Sequence, residues 1–302
     1  MDDSKPATAI IGTGALGTAL ARRLAECGYP VEAVLSRTVS RARALADNVE
    51  ASVASDSLHD VPGDVRLVFC CVPDDAVGVV AQALGRTRRD WSGCTVAHTS
   101  GALTAAALYG LGEQGAALLS FHPLQTFAPA SPPDAFDGIY IGLEGDSAAV
   151  ALGSNIAIDL GARPLTLTPY AKVRYHLAAS MASNYLVTLM GLVGEVLSSI
   201  DLDRQQGAAL MRPLVEGTWR NLARHLPEDV LSGPIARGDR QTIAGHLEAL
   251  NEHLPHLIPV YAALGAETVR VAVRGGKLAP DEAQQILNAL HTALEPYTDY
   301  PY

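Results

Sequence analysis

The 302-residue sequence has no basic excess: 22 Lys and Arg stand against 32 Asp and Glu, a formal net charge of −10. A surface that tracks phosphates needs the opposite balance, which argues against nucleic acid or an anionic membrane as the main partner. A local basic pocket for a small phosphorylated ligand is still compatible with it. No apolar stretch reads as long and uninterrupted enough to span a bilayer. The opening Met1-Asp2-Asp3-Ser4-Lys5 has acidic residues where a secretory signal needs basic ones, so a cytoplasmic location is expected. Cysteine is scarce: Cys27, Cys70, Cys71 and Cys94 form no CxxC pair, and none lies beyond the first third. Buried reduced thiols are expected, with no disulfide and no metal site. Internal repeats and low-complexity tracts are absent.

What is present is globular. Apolar residues make up 48% and charged residues 18%, and the length suits two domains, each with its own core. The first half alternates β-rich runs with helical patterns, the mark of a parallel sheet covered on both faces. Expected strands are Ala7–Gly12, Val31–Ser36, Val65–Val72, Cys94–Thr99, Ala116–Phe121, Gly138–Leu143 and Pro164–Thr168. A proline-rich stretch between Pro123 and Gly138 reads as an irregular loop. At Thr168-Pro169 the texture changes to an N-cap followed by proline at the first helical position. Helical periodicity then runs to Ser198, with further helices at Leu202–His225 (kinked at Pro213), Arg240–His253, Leu257–Leu264 and Pro280–Leu294. The expected architecture is α/β: an N-terminal doubly wound Rossmann sheet over 1–168, then an all-helical domain over 169–302.

Gly12-Thr13-Gly14-Ala15-Leu16-Gly17 places GxGxxG between an apolar strand and a helix. Gly12 allows the tight turn, Gly14 lets the backbone approach a diphosphate, and Gly17 brings helix and strand together, while the helix N-terminus offers N–H groups to the phosphates. The second strand ends in Ser36-Arg37-Thr38, about twenty residues beyond Gly17, where NAD-binding domains carry an acid for the ribose 2′-hydroxyl. An Arg flanked by two hydroxyls, with Arg41 and Arg43 following, instead suits a 2′-phosphate, so NADP(H) is the expected cofactor.

The polar strand exits come next. Val72-Pro73-Asp74-Asp75 leaves the central strand at its C-terminal edge, where ligands sit in such folds, although Asp74 or Asp75 also suits a helix cap. Ser100, in His98-Thr99-Ser100-Gly101, is a candidate cofactor contact beside Val72 and Pro73. His122 and Gln125, in Phe121–Phe127, are candidate substrate contacts on the same edge. On the helix after Thr168, Lys172, His176 and Ser183 fall within a narrow stripe, with Ser180 beside it and Asn184 at its margin. His176, Lys172 and Asn184 are the candidate catalytic residues, His176 for proton transfer because its ordinary pKa lies near neutrality and Lys172 would disfavour its imidazolium. Asp239 reads as the N-cap of the helix at Arg240, and Arg237 is a candidate anion contact.

Together Gly12–Gly17, Ser36–Thr38, Val72–Asp75, His98–Gly101, Phe121–Phe127, Tyr175–His176 with Asn184, and Gly233–Asp239 resemble a family of bacterial Rossmann proteins with a helical DUF2520 domain. That family is a distant relative of 3-hydroxyisobutyrate dehydrogenases, pyrroline-5-carboxylate reductases and F420-dependent NADP reductases. The resemblance implies a C-terminal domain like that of 6-phosphogluconate dehydrogenase and a homodimer through the helical part. The hydroxyacid dehydrogenases pair a helix Lys with an Asn one turn later. Here His176 follows Lys172 by one turn and Asn184 by three. The expectation is an NADP(H)-dependent oxidoreductase acting on a small carbonyl or imine; a redox sensor or scaffold, and hydride exchange with a deazaflavin, are the alternatives.

Overall fold

The structure is a computed structural model and describes residues 5–88, 90–129 and 131–297. Eight strands are present among them: β1 (Thr8–Ile11), β2 (Val31–Leu35), β3 (Val53–Ser55), β4 (Leu67–Cys70), β5 (Thr95–His98), β6 (Ala117–Pro123), β7 (Tyr140–Gly145) and β8 (Arg163–Thr166). They form one sheet in the order β3-β2-β1-β4-β5-β6-β7-β8, the doubly wound order expected, with an added β7–β8 edge. Each strand of the β1–β6 block runs parallel to its neighbours within that block, and every residue of β1, β4 and β5 is buried, as covering both faces requires. On one face pack Ile10, Phe69, Phe121 and Leu143; on the other pack Ala9, Val68, Val96 and Leu118.

Two details of the sheet depart from the sequence reading. The three-residue β3 was not expected; Val53-Ala54-Ser55 is too short to show a period. β7 is antiparallel to β6. The chain leaves β6 and returns from the same edge through the proline-rich loop, whose described residues include a short turn at Pro133–Phe136 and no crossover helix to reverse direction.

Helices α1 (Ala15–Glu26), α2 (Val39–Val49), α3 (Asp74–Gly85), α4 (Tyr109–Gly112) and α5 (Ser147–Asp159) accompany the sheet. Then follow α6 (Pro169–Ala182), α7 (Asn184–Ser198), α8 (Arg204–Leu222), α9 (Pro227–Val230), α10 (Arg240–His253), α11 (Ile258–Arg274) and α12 (Pro280–Leu294). Thr168 and Asp239 occupy the N-cap positions of α6 and α10, the Asp239 carboxylate accepting from the Thr242 amide. The expected single helix to Ser198 is interrupted at Ser183, α8 continues through Pro213, and α11 runs ten residues beyond the expected Leu264. The chain divides into two compact units, meeting in sequence at Tyr185 and Leu186, so α6 belongs with the sheet. The second unit has its own core of Ile243, Ala262, Val269, Ile286 and Leu290.

One expectation from the sequence is corrected. Pro169–Ser198, with a mean hydropathy of 1.4 over its apolar window, is long and apolar enough to cross a membrane by length and composition. The early charges Lys172 and Arg174 hide this from inspection, but Leu177–Gly194 contains no charged residue. None of that window is buried within the chain.

Candidate active site

The glycine turn fits a dinucleotide diphosphate. Gly12 has φ +107, and a Cβ there would lie 2.2 Å from the Cys71 carbonyl oxygen. A Cβ on Gly17 would lie 2.1 Å from the Gly12 oxygen, so α1 approaches the turn as closely as backbone allows. At Gly14 the reason differs: a Cβ would meet nothing within 4 Å, because that position faces the open cradle. No side chain caps the start of α1, which leaves the amides of its first turn for an anion.

Thr13 Oγ1 donates to Ser36 Oγ at 2.9 Å, and the Thr38 amide donates to the same oxygen at 3.3 Å. The end of β2 is thereby tied to the glycine turn. Arg37 is exposed and engages no acidic side chain among the described residues. Val72 packs under the turn, its Cγ1 being 3.3 Å from where a Gly12 Cβ would be. Pro73 is the N-cap of α3, with Asp74 and Asp75 in the first turn and not at the cap itself.

A second group of residues forms at the same sheet edge, where β5 and β6 end. In register, His98 on β5 pairs with Ser120 on β6, and Ser120 with Glu144 on β7, so these side chains share one face. His98 is fully buried. Its Nε2 donates to the Thr104 carbonyl at 3.0 Å, and its Nδ1 accepts from the Ser100 amide at 3.2 Å. A carbonyl only accepts, so these partners fix the neutral Nε2–H tautomer. Burial pushes this imidazole down to about 4, helped by the Lys172 charge and opposed by Thr104 and Asp74. His98 is thus a structural clamp.

Two residues further along β6, His122 shares that face with Gly142 of β7. Its Nδ1 lies 3.1 Å from Tyr175 Oη on α6, the two rings meeting edge to face. The His176 ring lies 6.2 Å from the His122 ring, centre to centre. Gly101 fits between them: a Cβ there would be 2.4 Å from His176 Cδ2 and 2.8 Å from His122 Nε2. Burial, then the Lys172 charge, hold His122 down to about 4, while burial raises the Tyr175 phenol to about 12. At neutral pH the pair is therefore neutral, with one hydrogen shared between Nδ1 and Oη.

Of the expected site residues, His122, His176, Lys172 and Ser100 come together here. Lys172 is fully buried and donates to the Ser100 and Gly101 carbonyls at 2.9 and 3.2 Å. Ser100 turns its hydroxyl to its own loop, accepting from the Ala102 and Leu103 amides. Gln125 is exposed in the loop after β6, where it accepts from Thr126. Asn184 is exposed at the start of α7, and Arg237 is exposed on a short turn of the second unit. Tyr175 was not singled out as a site residue, because its phenol matters only through the register that sets Gly142 beneath it. Among the described residues no cluster of metal-binding side chains occurs, and all four cysteines are reduced, with Cys70 and Cys94 buried and Cys27 and Cys71 partly so.

The Rossmann-like domain family matches residues 1–123 and the "Domain of unknown function (DUF2520)" family matches residues 139–268. No curated protein matches the sequence. Among solved structures, a Bacteroides fragilis protein assigned as an NADP oxidoreductase is 26% identical with a TM-score of 0.73, over 88% of this chain and 98% of its own. The Thermotoga maritima protein TM1727 is 27% identical with a TM-score of 0.69 over the same shares. A reductive aminase from Aspergillus terreus, solved with NADPH, shares the fold at 17% identity and a TM-score of 0.61, over 97% of this chain and 94% of its own. The chain thus joins a Rossmann-like domain to a DUF2520 domain.

Proposed function

We propose that this protein is an NADP(H)-dependent oxidoreductase that reduces a C=O or C=N bond of a small substrate, or runs the reverse reaction. One observation carries the reading: the glycine turn and a cluster of three proton-bearing side chains, His122, Tyr175 and His176, lie at one edge of one sheet. They are joined through Cys71, whose backbone abuts Gly12, and through Thr99 and Gly101, which lead from β5 to the imidazoles. The likeness to the Bacteroides fragilis protein, itself assigned as an NADP oxidoreductase, supports the choice of cofactor.

NADPH, when bound, supplies a hydride; everything else falls to the chain. The first-turn amides of α1 hold the diphosphate, and Ser36, Arg37 and Thr38 hold the 2′-phosphate. His122, kept neutral, and Tyr175, keeping its proton, present a hydrogen-bond donor to the substrate heteroatom as charge develops there. His176, partly exposed, delivers the proton from solvent. Asn184, at the start of α7, remains a candidate catalytic residue, and Gln125 a candidate substrate contact.

The chain supplies its own partner in this reading. Leu177, Met181, Tyr185 and Val187 are all more than half exposed, and within the second unit an apolar groove of about 410 Å3 is lined by Leu192, Val196, Met211, Leu250 and Leu264. Each copy thus carries both an uncovered apolar helix and an apolar groove, which a two-fold homodimer can cover reciprocally.

The decisive experiment follows NADPH oxidation by purified protein against a panel of small carbonyls, imines and deazaflavins. Turnover with a carbonyl or imine supports the reading, and turnover with a deazaflavin alone redirects it. Tight NADPH binding with no turnover across the panel would leave a sensor or scaffold.

A further inference from the structure

Lys172 is the largest polar side chain buried completely among the described residues, and the proton chemistry proposed above does not need it. Its ammonium hydrogens point at two backbone carbonyls, those of Ser100 and Gly101, and a carbonyl oxygen neither gives nor takes a proton in turnover. We infer that Lys172 is a positioning residue: it latches the loop Ser100–Ala105 in the shape that seats the His122 and His176 rings. This rests on the reading of those imidazoles as proton-handling groups.

The rest of the loop shows the same design. His98 grips it at both ends, accepting from the Ser100 amide and donating to the Thr104 carbonyl. Ser100 Oγ accepts from the Ala102 and Leu103 amides, and Glu144 Oε2 accepts from the Ala105 amide at 2.7 Å. The Ser100 and Gly101 carbonyls take their donor from α6, both from the Lys172 ammonium. Those two residues lead to the position where the loop touches the imidazoles, since Gly101 has no room for a Cβ against either ring. Releasing the two carbonyls lets Gly101 move and unseats both rings. A shift of about 1 Å at a reacting group is enough to cost on the order of a hundredfold in rate.

The charged and titratable groups facing Lys172 are Glu144 from β7 and Asp74 from the first turn of α3, with His98 on β5 and His122 on β6; His176, on its own helix, acts on His122. Burial lowers the Lys172 pKa to about 8, against the pull of Glu144 and Asp74. His122, held near 4, stays neutral throughout the alkaline range, so it can report on its neighbour without titrating itself.

The test uses the full-length protein with labelled histidine, titrated by NMR from about pH 6 to about pH 10. The His122 resonance should move with a midpoint near 8, and that movement should vanish in Lys172→Gln. The Gln amide can still donate to both carbonyls, so exchange protection of the Ala102, Leu103 and Ala105 amides should stay within about threefold of wild type. In Lys172→Met it should fall by about tenfold or more. With any substrate that turns over, Lys172→Gln should retain about a tenth of the rate or better, and Lys172→Met about a hundredth or less. Loop amides as well protected in Lys172→Met as in the wild type, or the same His122 movement in Lys172→Gln, overturns the inference. So does equal loss of rate in both variants with the loop still protected, which assigns Lys172 to proton transfer instead. If Lys172→Met does not fold, the wild-type and Lys172→Gln titrations decide alone. These titrations need no turnover, so their failure is separate from failure of the oxidoreductase reading.

Discussion

Thr13 and Ser36, 23 residues apart, are joined by a 2.9 Å hydrogen bond between their hydroxyls, and this bond ties the glycine turn to the end of β2. The coupling sets Arg37 beside the turn with no acid to occupy it. NADPH is therefore expected to bind at least about tenfold tighter than NADH, the equivalent of one charge-assisted contact. Arg37→Ala should weaken NADPH by about that factor and leave NADH nearly unchanged. Calorimetry with both cofactors checks this; equal binding to the unmutated protein contradicts it.

The glycine turn and Arg37 were legible because their spacing is local, fixed by one strand, one turn and one helix. The same holds for the caps at Thr168 and Asp239. What the sequence does not display is the sideways dimension of the sheet. His98, Ser120 and Glu144 are more than twenty residues apart in turn, yet one register line sets them side by side. Tyr175 reaches His122 only because β7 returns antiparallel and leaves Gly142 beneath the phenol. Lys172 reads in sequence as one stop on a polar stripe, and only its burial turns it from a catalytic candidate into a latch.

His98 and His122 make the fold acid-sensitive. Both imidazoles are lowered from 6.5 to about 4 in the folded chain, so the unfolded chain binds more protons between those values. Stability is then fully present above about pH 6.5 and is lost as the pH falls towards 4, by up to about 3 kcal/mol for each residue at 1.36 kcal/mol per pKa unit. Urea unfolding at pH 7 and pH 4.5 measures the loss, and His98→Gln should remove part of it. A flat profile between those pH values would show that neither ring is held neutral by the fold.

Ser120 offers a test of the polar row itself. Its hydroxyl is fully buried and has no hydrogen-bond partner among the described residues. Removing an unsatisfied buried hydroxyl is neutral or mildly stabilising. Ser120→Ala should leave the melting temperature unchanged or raise it by a few degrees. A loss of more than about 1 kcal/mol would reveal a partner worth a full hydrogen bond.

The uncovered Leu177–Gly194 stretch needs a cover. A second copy is the expected one, so light scattering without detergent should give a dimer mass at micromolar concentration. Val187→Lys and Leu189→Glu together should shift that mass towards the monomer. A monomer in the unmutated protein, or sedimentation with lipid vesicles, would assign the stretch to another partner or to a bilayer.

His176 is the sharpest test of the chemistry. It lies within van der Waals reach of Gly101, with the neutral His122–Tyr175 pair beside it, and its partial exposure lets it exchange a proton with solvent. His176→Ala should lower turnover by roughly two to four orders of magnitude, the usual worth of a positioned acid or base, while NADPH affinity stays near normal. His176→Gln should not restore the rate, since an amide forms hydrogen bonds but relays no proton at neutral pH. Tyr175→Phe separates the roles, because it removes the phenol while keeping the ring on His122. A loss in Tyr175→Phe as large as in His176→Ala means that both act in one relay. Full activity in His176→Ala with a loss in Tyr175→Phe moves proton delivery to the His122–Tyr175 pair, and full activity in both removes this cluster from the chemistry.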